Sequence, residues 1–224
     1  MVQILSPENN LPQIKAGKEL PSGLNTLAQT TNRDCGVSCV LLARELLLGK
    51  NDTPNTAKIL EVMNQYNITT SAKKGRTNTS QRNRLITLLN SFSKKKESSQ
   101  LKLTKKEMPQ DKKAYIDGLA QLLETSIAMV GVTSEFLFQT EKDSISNKTR
   151  EEVSEIEKGT VHGVVVHGYG KDQLEAPFFL ITDPNTNGGQ DPFNPNIWIP
   201  ADGLYKSLGN DSKQQVELIS KKDT

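Results

Sequence analysis

Between Asp34 and Leu48 the chain carries Val37, Val40, Leu41, Leu42, Leu46, Leu47 and Leu48. These side chains crowd most of a helix's circumference instead of one stripe, the pattern of a helix buried on nearly all sides. Asp34 is placed to cap its start and Gly49 to end it. Such a helix needs a partner layer around it, and the composition limits how large that layer can be. Hydrophobic residues make up 34% of the 224 and aromatic residues 5%, enough for one modest core with long polar surfaces. One domain with insertions is the expected organisation.

The rest of the chain divides into helices first and strands later. Met1 to Leu27 is rich in Pro, Asn and Ser and reads as an irregular arm over residues 1–27. The spacing of apolar residues predicts helices over Asn55–Tyr66, Arg82–Phe92 and Gln110–Thr125. Ile127–Val132 is a short apolar strand, and Val161–Tyr169 with Phe178–Thr182 reads as an antiparallel hairpin around a polar loop. Ile197–Ile199 and Val216–Ile219 are candidate closing strands. The order points to an α+β fold, a mostly antiparallel sheet on a helical half, over residues 28–224. Polar insertions fall at about 67–113 and 134–159.

Charge and cysteine usage narrow the function classes. No run approaches the ~20 apolar residues that cross a bilayer, so no transmembrane segment is expected. Met1 to Leu20 lacks the basic, apolar and small-residue succession of a Sec signal peptide. A cytoplasmic protein, or one delivered by a non-Sec secretion system, is the expectation. From Lys73 to Lys113 there are thirteen Lys/Arg against three acids. Phe92 is the one aromatic residue there, too few to interleave as stacking platforms, so the stretch reads as a solvated surface and nucleic acid is not the expected partner. The two cysteines, Cys35 and Cys39, are read as thiols, because a disulfide-stapled fold needs more of them.

Cys35 falls in the first turn of the central helix, where backbone N–H groups lack partners and the helix end carries about half a positive charge. A thiolate is favoured there, and the thiolate is the nucleophilic form. With two histidines in the chain, its partner can be argued. Strand alternation puts His162 on one face with Val164 and Val166, and His167 on the other. A hairpin symmetric about its loop sets His162 opposite Asp183, with Cβ atoms about 5 Å apart. That separation lets a carboxylate orient an imidazole. Gln29, six residues before Cys35, has a side-chain amide able to join the Cys35 N–H in an oxyanion hole. The Cys35/Cys39 and His162/His167 pairs formally meet zinc-ligand spacing. Strand parity turns the two histidines apart, so neither a metal nor a cofactor is expected.

Gln29-Thr-Thr-Asn-Arg-Asp-Cys35-Gly-Val-Ser-Cys-Val resembles the Gln-x5-Cys segment of papain-like cysteine peptidases, particularly the C39-like, bacteriocin-processing-peptidase-like branch. His162-Gly-Val-Val-Val and Ile181-Thr-Asp183-Pro184 resemble that branch's His-x-Val-Val and Asp-Pro segments. His162 follows Cys35 by 127 residues, close to the ~130-residue interval of papain-like enzymes. The resemblance implies a papain-like fold in which the helix carrying Cys35 lies on the sheet carrying His162 and Asp183. It implies Cys35 as nucleophile, His162 as base, Asp183 as orienting residue and Gln29 at the oxyanion. It covers about 60 residues in three blocks and says little of the insertions.

A thiol-dependent hydrolase acting on peptide or amide bonds of a protein or peptide substrate is therefore the leading expectation. The same triad can deamidate or transglutaminate a glutamine side chain, as a bacterial effector would on a host protein. A third reading is a non-catalytic module on the same scaffold, binding a polyanion or a protein through the basic stretch.

Overall fold

Eleven consecutive residues of the central helix, Gly36 to Leu46, are buried, Arg44 and Glu45 among them. The all-round apolar pattern thus gives an all-round burial. In this computed structural model, which describes residues 12–17, 35–49, 59, 63, 78–92, 100–133, 161–184 and 197–222, that helix is α1 (Cys35–Leu48). Gly49 ends it, with φ of +89° and its N–H bonded to the Glu45 carbonyl at 2.8 Å. A left-handed residue after the last turn is a usual glycine position. Of the helix expected over Asn55–Tyr66, Ile59 and Met63 are described, both helical and buried; its remainder lies outside the described residues.

Two further helices follow the expected apolar spacing. Helix α2 (Thr79–Phe92) buries Leu85, Ile86, Leu88 and Leu89. It starts three residues earlier than its apolar stripe implies, because Asn78 and Gln81 exchange side-chain and backbone hydrogen bonds at 2.8 and 2.9 Å. This reciprocal cap satisfies two otherwise orphaned donors. Helix α3 (Lys112–Leu122) is capped by Asp111, whose carboxylate accepts from the Ala114 N–H.

Among the described residues the sheet has seven strands: β1 (Gln13–Gly17), β2 (Leu101–Glu107), β3 (Ile127–Thr133), β4 (Val161–Lys171), β5 (Pro177–Thr182), β6 (Ile197–Pro200) and β7 (Gln215–Lys221). The main path runs β2-β7-β3-β4-β5-β6, with β1 on β4, and every pairing is antiparallel. Two short helices, α4 (Ala201–Ser207) and α5 (Asn210–Gln214), link β6 to β7.

Alternation along the strands builds two cores. Ile127, Met129, Val165 and Ile219 face α1 and α2. Ala128, Val130, Val132, Val164, Val166 and Leu218 face α3 and α4. The fold is α+β as the sequence implies, but the sheet lies between helices on both faces instead of on a single helical half. Each fully buried Leu, Ile or Val contributes roughly 1.5–3 kcal/mol, so both layers hold the sheet in place.

Two strands depart from the sequence reading. Gln13–Gly17 falls within the stretch read as an irregular arm, yet it pairs with the end of β4. Gly17 is required at its tip: φ is +84°, and a Cβ there would stand 2.1 Å from the His167 carbonyl oxygen. Leu101–Glu107 falls within the polar insertion, yet it pairs over its whole length with β7. Its lysines mask the alternation of Leu101 and Leu103, and exposed Lys105 and Lys106 are what a strand at the sheet's margin carries to discourage further pairing.

Candidate active site

Cys35 is the first residue of α1. Its neighbour Gly36 directs a backbone N–H at the sulfur, as does Gly163 on β4. His162, also on β4, makes a side-chain hydrogen bond with Cys35. The imidazole Nε2 lies 2.6 Å from Asp183 Oδ1, which leaves Nδ1 for the thiol. His162 is 6% exposed and Asp183 1%, so this pair is shielded from water, where charge interactions are strongest.

The electrostatics follow from these contacts. Burial alone pushes the Cys35 thiol up, but the hydrogen bond and charge of His162 and the two backbone N–H groups hold it below its usual value of 9.0. Burial alone pulls His162 down, yet the charge and hydrogen bond of Asp183, then those of Cys35, raise it to about 10. A thiolate beside an imidazolium is the state favoured by both shifts.

The ladder reaches this geometry by a different register from the symmetric hairpin. The hairpin turns at Asp172–Ala176, where Asp172 accepts from the Leu174 and Ala176 N–H groups at 2.9 and 2.8 Å. Lys171 pairs with Pro177 and Gly168 with Leu180. Continued unbroken, that ladder would set Asp183 opposite Val165, on the wrong face. A bulge at His167 intervenes, so Val166 pairs with Ile181 and Val165 with Thr182. Asp183 then follows opposite Val164 and regains the face of His162, as its diagonal neighbour. His167 itself is fully buried, with Nε2 2.9 Å from Thr182 Oγ1. Since Thr182 and Asp183 are consecutive, the two histidines point to opposite faces, as strand parity requires.

Cys39 is fully buried and donates to the Gly163 carbonyl at 3.4 Å. Burial and the nearby charges of Cys35 and Asp183 push its thiol well above the usual range. The two sulfurs therefore differ sharply although one helical turn separates them. Gly163 lies between both, since a Cβ there would contact each sulfur at 3.7 Å. Gln29 and Asp34 lie outside the described residues.

A cleft of about 250 Å³ opens onto Cys35 and Gly36. Its floor includes Gly131 and Gly163, and its walls include Thr79, Arg82 and Glu217. Arg82 grips Glu217 through Nε and Nη2 at 2.6 and 2.7 Å, and Thr79 donates to the same carboxylate at 2.5 Å. Sequence reasoning missed this wall. Arg82 falls in the basic stretch read as solvated surface, yet its side chain is only 17% exposed. The Asn78-x-x-Gln81 cap was the signal that could have drawn the helix back to Thr79.

Among the described residues no helix is long and apolar enough to cross a membrane. Compared with known proteins, the chain matches no family model and no curated sequence.

Proposed function

We propose that the chain is a thiol-dependent hydrolase of papain-like, C39-like type, cleaving peptide or amide bonds through Cys35, His162 and Asp183. The observation that carries this reading is the imidazole of His162, hydrogen-bonded to the Cys35 thiol on one side and 2.6 Å from Asp183 on the other.

In this reading the Cys35 sulfur attacks a carbonyl carbon as the thiolate, the form its lowered pKa favours, and the C=O π pair moves to oxygen. The Cys35 N–H at the start of α1 is suited to hold that oxyanion, with Gln29 as its expected partner. Collapse of the intermediate expels the amine, which takes its proton from the His162 imidazolium. The now neutral imidazole draws a proton from water, which attacks the thioester and frees the acid. Asp183 keeps the ring oriented and stabilises its charged form throughout.

The test is turnover of a peptide library by wild type and Cys35→Ala, read by mass spectrometry. Backbone fragments that vanish in the variant support a peptidase. A gain of about one dalton at a glutamine, equally dependent on Cys35, assigns the same acyl-enzyme chemistry to deamidation instead. Turnover retained by Cys35→Ala removes the mechanism.

A further inference from the structure

The cleft beside Cys35 has a polar wall that the proposed chemistry leaves unused. Glu217 and Arg82 face it as a bidentate ion pair, with side chains 13% and 17% exposed. A carboxylate offers about four lone-pair sites; Thr79 and Arg82 fill three of Glu217's. An incoming cation thus meets a carboxylate already neutralised, and an incoming anion meets a guanidinium already carrying its partner. Lys105 and Asp211 line the cleft as well, so two cations stand against two carboxylates and neither charge is favoured.

Nearest to this pair are one further acceptor site on Glu217 and, directly across the β2–β7 ladder, the ammonium of Lys105. Residues paired in this way stand on one face with Cβ atoms roughly 5 Å apart. Lys105 lines the same cleft and is exposed to it. A donor and an acceptor side by side complement a group that offers an acceptor and a donor at similar spacing. A carboxamide does so, with its C=O toward Lys105 and its NH₂ toward Glu217.

We infer that Lys105 and Glu217 form a specificity pocket for a side-chain carboxamide, so that the residue supplying the attacked carbonyl is glutamine or asparagine. This rests on the thiol-hydrolase reading and names its substrate class.

Peptidyl acyloxymethyl ketones that differ only in the side chain beside the ketone test it. The Cys35 thiolate displaces their carboxylate leaving group, a C–S bond forming as the C–O bond breaks, and mass spectrometry reads the labelling rate. Glutamine and asparagine probes label about tenfold faster than glutamate, lysine or leucine probes, a factor worth one well-placed hydrogen bond. Lys105→Ala reduces the glutamine rate to that of leucine. Iodomethane, which carries no carboxamide and is too small to use the wall, separates the two ideas. Rapid, Cys35-selective alkylation with equal rates for all peptidyl probes, or with a charged probe fastest, overturns the pocket and spares the triad. Alkylation of Cys35 no faster than a free thiol overturns the triad reading and the pocket with it.

Discussion

Asp183, one residue past the last β4–β5 pair (Thr182 opposite Val165), stands diagonally from His162, and its carboxylate lies 2.6 Å from the imidazole. The face they share is set by the bulge at His167. Asp183 and His162 are thereby fixed by backbone pairing more than by the reach of flexible side chains.

Asp183→Asn keeps the shape of that contact and removes its charge. His162 then titrates closer to its ordinary 6.5, and the thiolate loses its cationic partner. Iodoacetamide alkylation of Cys35 at neutral pH should slow by about tenfold or more, with its pH midpoint moved upward, since one pKa unit is a tenfold change in thiolate population. An unchanged midpoint would deny Asp183 its orienting role.

Stability should depend on pH in a way that reports the coupled pair. His162 is raised from 6.5 to about 10, so its contribution is complete below 6.5 and is lost as pH rises through 10. Cys35 is lowered from 9.0, so its contribution is complete above 9.0 and is lost as pH falls through its depressed pKa. Wherever the folded protein holds thiolate and imidazolium between pH 6.5 and 9.0, folded and unfolded states bind one proton each, and these two groups add no slope. Cys35→Ala removes one half of that balance. Its melting temperature should then fall with rising pH across a range where wild type is flatter, as thermal melts in matched buffers will read.

The two thiols should respond differently to reagents. Cys39 is fully buried with its ionisation suppressed, so a thiol reagent should modify Cys35 alone in the native protein and both cysteines in urea. Peptide mapping after brief labelling checks this, and native modification at Cys39 would contradict its burial.

Arg82→Ala should destabilise the fold by about 1–3 kcal/mol, the range for losing hydrogen bonds to a charged group and leaving its carboxylate partner unpaired. Urea denaturation measures it. An exposed salt bridge would give about 0–1 kcal/mol, so the value distinguishes a wall of the cleft from a decorated surface.

The parts of the fold that are legible in the sequence are those with dense apolar signals. Helix α1, strands β3, β4 and β5 and the stripes of α2 and α3 lie where their Leu, Ile and Val spacing sets them. The marginal strands β1 and β2 were hidden because few of their residues are buried. The short helices α4 and α5 escaped for a related reason: five to seven residues are too few for a periodicity to declare itself. At the site, Cys35, His162 and Asp183 come together as strand parity and helix position imply, while the directly opposed register does not hold. Its error has a physical source. A hairpin's turn and its bulges are decided by local backbone hydrogen bonds, here those of Asp172, which the apolar pattern does not encode. The Arg82–Glu217 contact was illegible because it joins side chains 135 residues apart.

The register shift at His167 makes the hairpin count in odds and evens. Losing or gaining one amino acid in either arm between the imidazole and the carboxylate would turn the acid toward the opposite helical layer and disarm the sulfur in an otherwise well-folded molecule. A change of two would slide the arms yet keep both groups on the same side. The tip at Asp172–Ala176 can vary in length without that penalty, so natural variants should tolerate indels at the turn and shun single ones along the arms.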